Sequence, residues 1–206
     1  MSEQLIELKL GSANSLTISR FGAALRSLVI QGVPLVAPKA PDEFETFHGV
    51  VLAPWQNRLE NGEWEDLQGN RHLLPINEPE RGNALHGLVY ASEFRISELS
   101  DSKVVLEFQI LPTTGYPYEF NLQIEYQLHP DGMKCSYRVQ NRCSEAAPFA
   151  IGFHPYFCYG EDVQNLKLIS RARTRYTQNQ NKIPLQPESV SGTKWDLSQG
   201  VRVGDT

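Results

Sequence analysis

Three short segments concentrate the side chains that could do chemistry. Residues 53–62 read APWQNRLENG. Arg58 offers a planar fork of donors that can hold two neighbouring oxygens at once. Asn57 offers a donor and an acceptor, and Trp55 a flat apolar surface of the kind that fits the C–H face of a pyranose ring. A neutral polyol needs such a set, although a surface loop with an Arg salt bridge and a core tryptophan would use the same residues. Residues 83–88 read NALHGL, with His86 beside Gly87, where backbone can turn sharply or approach closely. Residues 150–159 read AIGFHPYFCY, apolar on both sides of His154, the one side chain there that titrates near neutrality. Pro155 removes a ladder donor and biases His154 toward extended backbone. A histidine in an aromatic shell of Phe153, Tyr156, Phe157 and Tyr159 suits a general acid. Taken singly, each histidine also fits a hydrogen-bonded structural role. His129 falls in a turn and is expected in solvent, His72 falls on a strand and is expected exposed, and His48, before Gly49 and Val50, falls in the same loop region as the site segments and is assigned no role.

The elements that must position these segments are strands. Leu122, Ile124, Tyr126 and Leu128 alternate with polar residues, and so do Met133, Cys135, Tyr137 and Val139. Between the two runs lies His129-Pro130-Asp131-Gly132, a hairpin turn with a glycine able to take positive φ. Further hairpins are expected around Gln68-Gly69-Asn70 and Ser100-Asp101-Ser102. Shorter alternations occur at Leu8/Leu10, at Leu16/Ile18 and from Val104 to Ile110, and no long run has period 3.6. Short connections imply antiparallel pairing, hence an all-β sandwich or barrel. Residues 31–58, with Pro34, Pro38, Pro41 and Pro54, and residues 75–92 read as loops, where function usually sits on a β scaffold. With no linker, repeat or low-complexity stretch, residues 1–206 read as one domain.

Composition narrows the classes of partner. The 206 residues carry a formal net charge of -5, which argues against a nucleic-acid surface. The cations cluster only at Arg171, Arg173 and Arg175, which would share one face of an extended segment and read as a solvated strand edge. MSEQLIELKL is too interrupted by charge for a secretory signal, and no stretch has the length of a membrane span. Cys135, Cys143 and Cys158 show no CxxC spacing and read as free thiols of a reducing compartment, hence a cytoplasmic protein. No Cys/His spacing suggests a metal site.

In combination the three segments say more. PWxNRxxxG, ALHG and GFHPYF, in this order and at these separations, resemble the aldose 1-epimerase (galactose mutarotase-like) superfamily. FGAALRSL at 21–28, GYPYEF at 115–120, YQLHPDG at 126–132 and IPLQPESVSGTKWDL at 183–197 extend the resemblance over nearly the whole chain.

The resemblance implies a large antiparallel β-sandwich that interconverts the α and β anomers of a free hexose such as galactose or glucose. The ring opens when a base takes the C1 hydroxyl proton and an acid protonates the ring oxygen, with no metal or organic cofactor. It assigns the acid to His154 and a second, sugar-orienting histidine to His86. Arg58 becomes the arginine that binds sugar hydroxyls, with Asn57 and Tyr156 lining the pocket. The family's base is a Glu beyond further strands, and a substrate-binding Asp follows a stretch like VRVGDT. The sequence stops at Thr206, before either, and Glu78, Glu80, Asp196 and Asp205 match neither position. The expectation is therefore a sandwich lacking its last strands, incomplete at its C-terminus, with unpaired edges that favour association. Two alternatives stand beside the free-sugar enzyme. One is a hexose 6-phosphate epimerase, which would need a basic rim at Arg81 or at Arg171 to Arg175. The other is a non-catalytic carbohydrate-binding protein.

Overall fold

A computed structural model describes residues 4–37, 47–160 and 162–205; the predicted loop positions Pro38 and Pro41 lie outside these. Among the described residues the regular structure is almost all strand, the remainder being two three-residue 3-10 turns, Val163–Asn165 and Val203–Asp205. The all-β expectation holds.

Two four-stranded antiparallel sheets carry the core. The first runs β1 (Leu5–Leu10), β2 (Asn14–Ser19), β3 (Ala24–Ile30), β4 (Val33–Val36) in spatial order. Small pairs follow in sequence: β5 (Val51–Leu52), β6 (Arg58–Glu60), β7 (Glu63–Glu65), β8 (Arg71–Leu73) and β9 (Asn83–Leu85). The second sheet is β10 (Arg95–Leu99), β11 (Lys103–Ile110), β12 (Phe120–His129) and β13 (Gly132–Asn141). After it, β14 (Gly152–Phe153) pairs with β5, and a hairpin of Thr174–Gln178 with Pro184–Ser189 lies nearer the C-terminus.

The period-two pattern explains why the sheets pack. Register sets Ile6 opposite Ile18 and Leu8 opposite Leu16 on one sheet, and Leu106 opposite Ile124 on the other. These side chains join one buried cluster with Leu122, Tyr126 and Leu128. Each buried aliphatic of this kind contributes about 1.5–3 kcal/mol. Tyr126 crosses the interior and donates its hydroxyl to the Ala23 carbonyl at 2.9 Å. Asn14 does the same at the rim, donating to the carbonyls of His129 and Pro130 while its Oδ1 accepts from the Gln31 amide.

The structure corrects several local expectations. The β12–β13 turn is Pro130-Asp131, with His129 opposite Gly132, and Gly132 does not take positive φ. A proline at the first central position already fixes a turn that keeps φ negative. His72 is not exposed: its side chain keeps 13% of its accessible surface, stacked on Trp64 and hydrogen-bonded to Asp66 Oδ2 at 2.9 Å. That bond, with the amides of Gln68 and Asn70 also on Asp66, holds the Asp66 carboxyl well below the usual range. His129 is half-buried rather than solvated, because the turn folds against Asn14. Arg171, Arg173 and Arg175 do not share a strand face; only Arg175 lies in a strand, paired with Glu188 and over the Trp195 ring. The alternation in β13 holds for Met133, Cys135 and Val139, which pack half-buried against the core, but not for Tyr137. Tyr137 is 55% exposed, whereas its β12 partner Ile124 is 0% exposed. β13 ends its sheet's order, and alternation marks a face without saying what covers it.

Candidate active site

Short strand ends bring the three segments together. Arg58 opens β6 and sits opposite Leu85 of β9, so Asn57 and His86 face each other one residue beyond that pair. The His86 amide donates to the Asn57 carbonyl at 2.9 Å, and the Asn57 amide donates to His86 Nδ1 at 3.1 Å. Both residues hold φ = 64°. Asparagine and histidine are among the non-glycine residues found most often in this left-handed region, which still costs about 1–3 kcal/mol. Gly87, at φ = 82°, makes the close approach possible, since a Cβ there would stand 2.1 Å from the Ala53 carbonyl oxygen. The Leu88 and Val89 amides both donate to that oxygen.

His154 arrives from the opposite direction. β14 places Phe153 against Val51, and the chain stays extended so that the His154 amide reaches the Val50 carbonyl at 3.2 Å. The Gly49 amide returns a bond to the His154 carbonyl at 2.8 Å. The His154 ring then lies 5.4 Å from His86, 5.3 Å from Tyr156 and 6.4 Å from Phe47, centroid to centroid. The aromatic shell differs from expectation: Phe153 contacts Tyr137 instead, and Phe157 is 70% exposed. Alternation along extended backbone sends His154 and Tyr156 to one side and their neighbours to the other.

The electrostatics separate the two histidines from the acids. Since Asn57 donates to Nδ1, the neutral His86 ring carries its proton on Nε2. Burial pushes its pKa down to about 4, helped by the positive charges of His154 and Arg58 and opposed by Glu78. At neutral pH His86 is therefore an uncharged donor. Arg58 sends Nε to Glu78 Oε2 at 2.8 Å, Nη2 to Oε1 at 2.7 Å, and Nη1 to Asn57 Oδ1 at 3.1 Å. Glu78 also accepts from Arg81 and Asn83, and the Arg58 pair holds its carboxyl down at about 2. Four N–H donors fill its two oxygens, so Glu78 has no free lone pair with which to take a proton from a ligand. His154, His86, Tyr156, Asn57 and Arg58 thus form one connected cluster, while Trp55 packs against the main core.

The sequence model of the aldose 1-epimerase family matches residues 4–206. The chain belongs to the aldose 1-epimerase family. The uncharacterised protein YihR of Escherichia coli (strain K12) is 33% identical over 208 aligned positions, covering 100% of this chain and 67% of that protein. The GalM/aldose epimerase homologue from C. elegans superposes with a TM-score of 0.82 at 18% identity, over 98% of this chain and 66% of its own. A galactose 1-epimerase from Lactobacillus acidophilus superposes with a TM-score of 0.79 at 21% identity, over 98% and 63%. The chain spans about two thirds of the length of these relatives, and at such identities the structural likeness is one of fold, the galactose mutarotase-like sandwich.

Within this member of the family, three residues lie beside the cluster to which the sequence assigns no part in the site. His48 is 2% exposed and stacks on Tyr156 at 4.7 Å, its carbonyl accepting from the Arg26 guanidinium. Phe47 packs edge-on to His86 at 4.6 Å. Glu78 was noted only as a residue of the His86 loop. Its one signal was a carboxylate in a short proline-and-glycine loop leading back to the strand opposite Arg58.

Proposed function

We propose that the protein is an aldose 1-epimerase acting on a free hexose of the galactose or glucose type. The observation that supports this most is the single cluster of a half-buried His154, a neutral Nε2–H donor at His86 and an anchored Arg58. In this reading His154 protonates the ring oxygen as the C1–O5 bond opens. His86 and Arg58 donate to sugar oxygens, and Asn57 and Tyr156 complete the pocket wall. After rotation about the C1–C2 bond, reclosure returns the proton to His154. Positioned proton transfer of this kind is worth roughly 10²–10⁴ in rate. The base that takes the C1 hydroxyl proton is not Glu78, whose oxygens are saturated by four donors. Within the cell the cytoplasm is the expected compartment. Among the described residues no helix is long and apolar enough to cross a membrane.

Optical rotation of fresh α-D-galactose and α-D-glucose, followed with the protein and with His154→Asn, tests the reading. Acceleration over the spontaneous rate that His154→Asn loses, with modest change in sugar binding, is the expected result. Acceleration kept within a few-fold by His154→Asn would remove the acid assignment. A carbohydrate-binding protein without turnover is the second reading, favoured by the saturation of Glu78; intact binding with no acceleration would select it. The 6-phosphate reading is weaker because Arg81 is committed to Glu78 and Glu80.

A further inference from the structure

Glu78 is 4% exposed, a position where a carboxylate needs compensation. It has that compensation from four donors: Arg58 Nε and Nη2, Arg81 Nη1 and Asn83 Nδ2. Its backbone is equally fixed, with the Glu78 amide on the Asn83 carbonyl at 3.1 Å and the Asn83 amide on the Glu78 carbonyl at 3.2 Å. Asn83 in turn opens the strand that pairs with Arg58's strand, Glu60 opposite Asn83 and Arg58 opposite Leu85. On its far side Asn83 Nδ2 reaches the Asn181 carbonyl at 3.0 Å, in the turn of the C-terminal hairpin. Glu78 is thus held by the same two strands whose ends present Arg58 and His86.

The guanidinium has five N–H groups. Nε–H and one Nη2–H go to Glu78, and one Nη1–H goes to Asn57. One Nη1–H and one Nη2–H are left, the Nη2–H pointing off the end of the planar fork. An arginine of long, flexible stem would otherwise have to be ordered when ligand arrives, a cost that preorganisation removes.

We propose that Glu78 is the positioning residue of the site: it clamps Arg58 side-on so that the N–H groups of the guanidinium left over by Glu78 and Asn57 are held in place for sugar hydroxyls. This rests on the reading of Arg58 as a sugar-binding residue. Glu78 touches no substrate in this arrangement and acts through Arg58.

The experiment compares wild type, Glu78→Gln, Arg58→Met and the double variant by two readouts. The first is calorimetric Kd for galactose and glucose. The second is the Arg58 Nε–H signal in ¹⁵N–¹H NMR, which needs no ligand. Glu78→Gln is expected to weaken sugar binding about tenfold or more in the wild-type background and by less than about twofold in the Arg58→Met background. Its Arg58 Nε–H signal is expected to lose its protection from solvent exchange. Glu78→Asp keeps the charge but cannot reach Asn83 and both Arg58 nitrogens together, and carries the same test where Glu78→Gln does not fold. Losses that add in the double variant, or an Nε–H signal indifferent to Glu78, would overturn the proposal. A wild type that binds neither sugar, yet whose Nε–H protection depends on Glu78, would overturn the sugar-site reading while leaving the clamp.

Discussion

The rings of His86 and His154 meet edge-on, 5.4 Å apart with an interplanar angle of 80°. Two protonated imidazoles at this distance would repel. The structure avoids the conflict by holding His86 neutral, through burial first and its positive neighbours second. In NMR titration His86 is expected to stay neutral and Nε2-protonated from pH 8 to 5 and to titrate near 4. Titration in the ordinary histidine range would contradict that assignment.

Acid should weaken the fold in two stages. The His86 pKa is lower folded (about 4) than its ordinary 6.5, so the unfolded chain binds more protons between those values. Its contribution is fully present above 6.5 and is lost as pH falls through about 4. Glu78 is also depressed, from 4.5 to about 2, so its contribution is present above 4.5 and is lost as pH falls through about 2. Urea midpoints are expected to fall from pH 6.5 to 4 and again below 4.5. Glu78→Gln, less stable at neutral pH, should show a flatter second stage; a profile as steep as wild type's would count against Glu78.

Gly87→Ala should part the two loops of the site. The new Cβ meets Ala53 backbone at 2.1 Å in a left-handed conformation. A loss of about 2–4 kcal/mol is expected, read as a Tm lower by roughly 5–15 °C. Gly132→Ala is the control: a Cβ there has nothing within 4 Å and the backbone is not left-handed. It should stay within about 0.5 kcal/mol of wild type.

The edge of β13 should make the 206-residue chain associate. β13 ends the spatial order of its sheet, and Tyr137 there and Phe153 beside it are 55% and 37% exposed. Strand edges of this kind pair with other strands unless blocked. Light scattering is expected to show mass rising with concentration. A monomer at all concentrations with a cooperative melt would argue otherwise.

Much of this was legible in the sequence, for identifiable reasons. Period-two runs such as Leu122 to Leu128 report which face a strand buries, and the observed registers follow them. The cluster of Arg58, His86 and His154 was legible only through the resemblance that their three segments carry in order, since each histidine read singly also fits a structural role. Contacts set by tertiary neighbours were not legible. Glu78's claim on Arg58 spans 20 residues of chain and depends on the pairing of the Arg58 strand with the Asn83–Leu85 strand. His72 is half-buried because Trp64 and Asp66 lie on the facing strand and turn. The exposure of Tyr137 depends on the absence of a further strand against β13 among the described residues. The aromatic shell of His154 failed for a local reason, since extended backbone sends adjacent rings to opposite faces.

The central claim is that sugar binds between Arg58, His86 and His154. The measurement that reaches it most directly is titration of the protein with galactose and with glucose, read on the imidazole ¹H–¹⁵N signals of all the histidines. Saturable shifts of His86 and His154 that follow one common isotherm are expected, with His72 and His129 unmoved. Binding that moves neither His86 nor His154, or no saturable binding of either sugar, would contradict it.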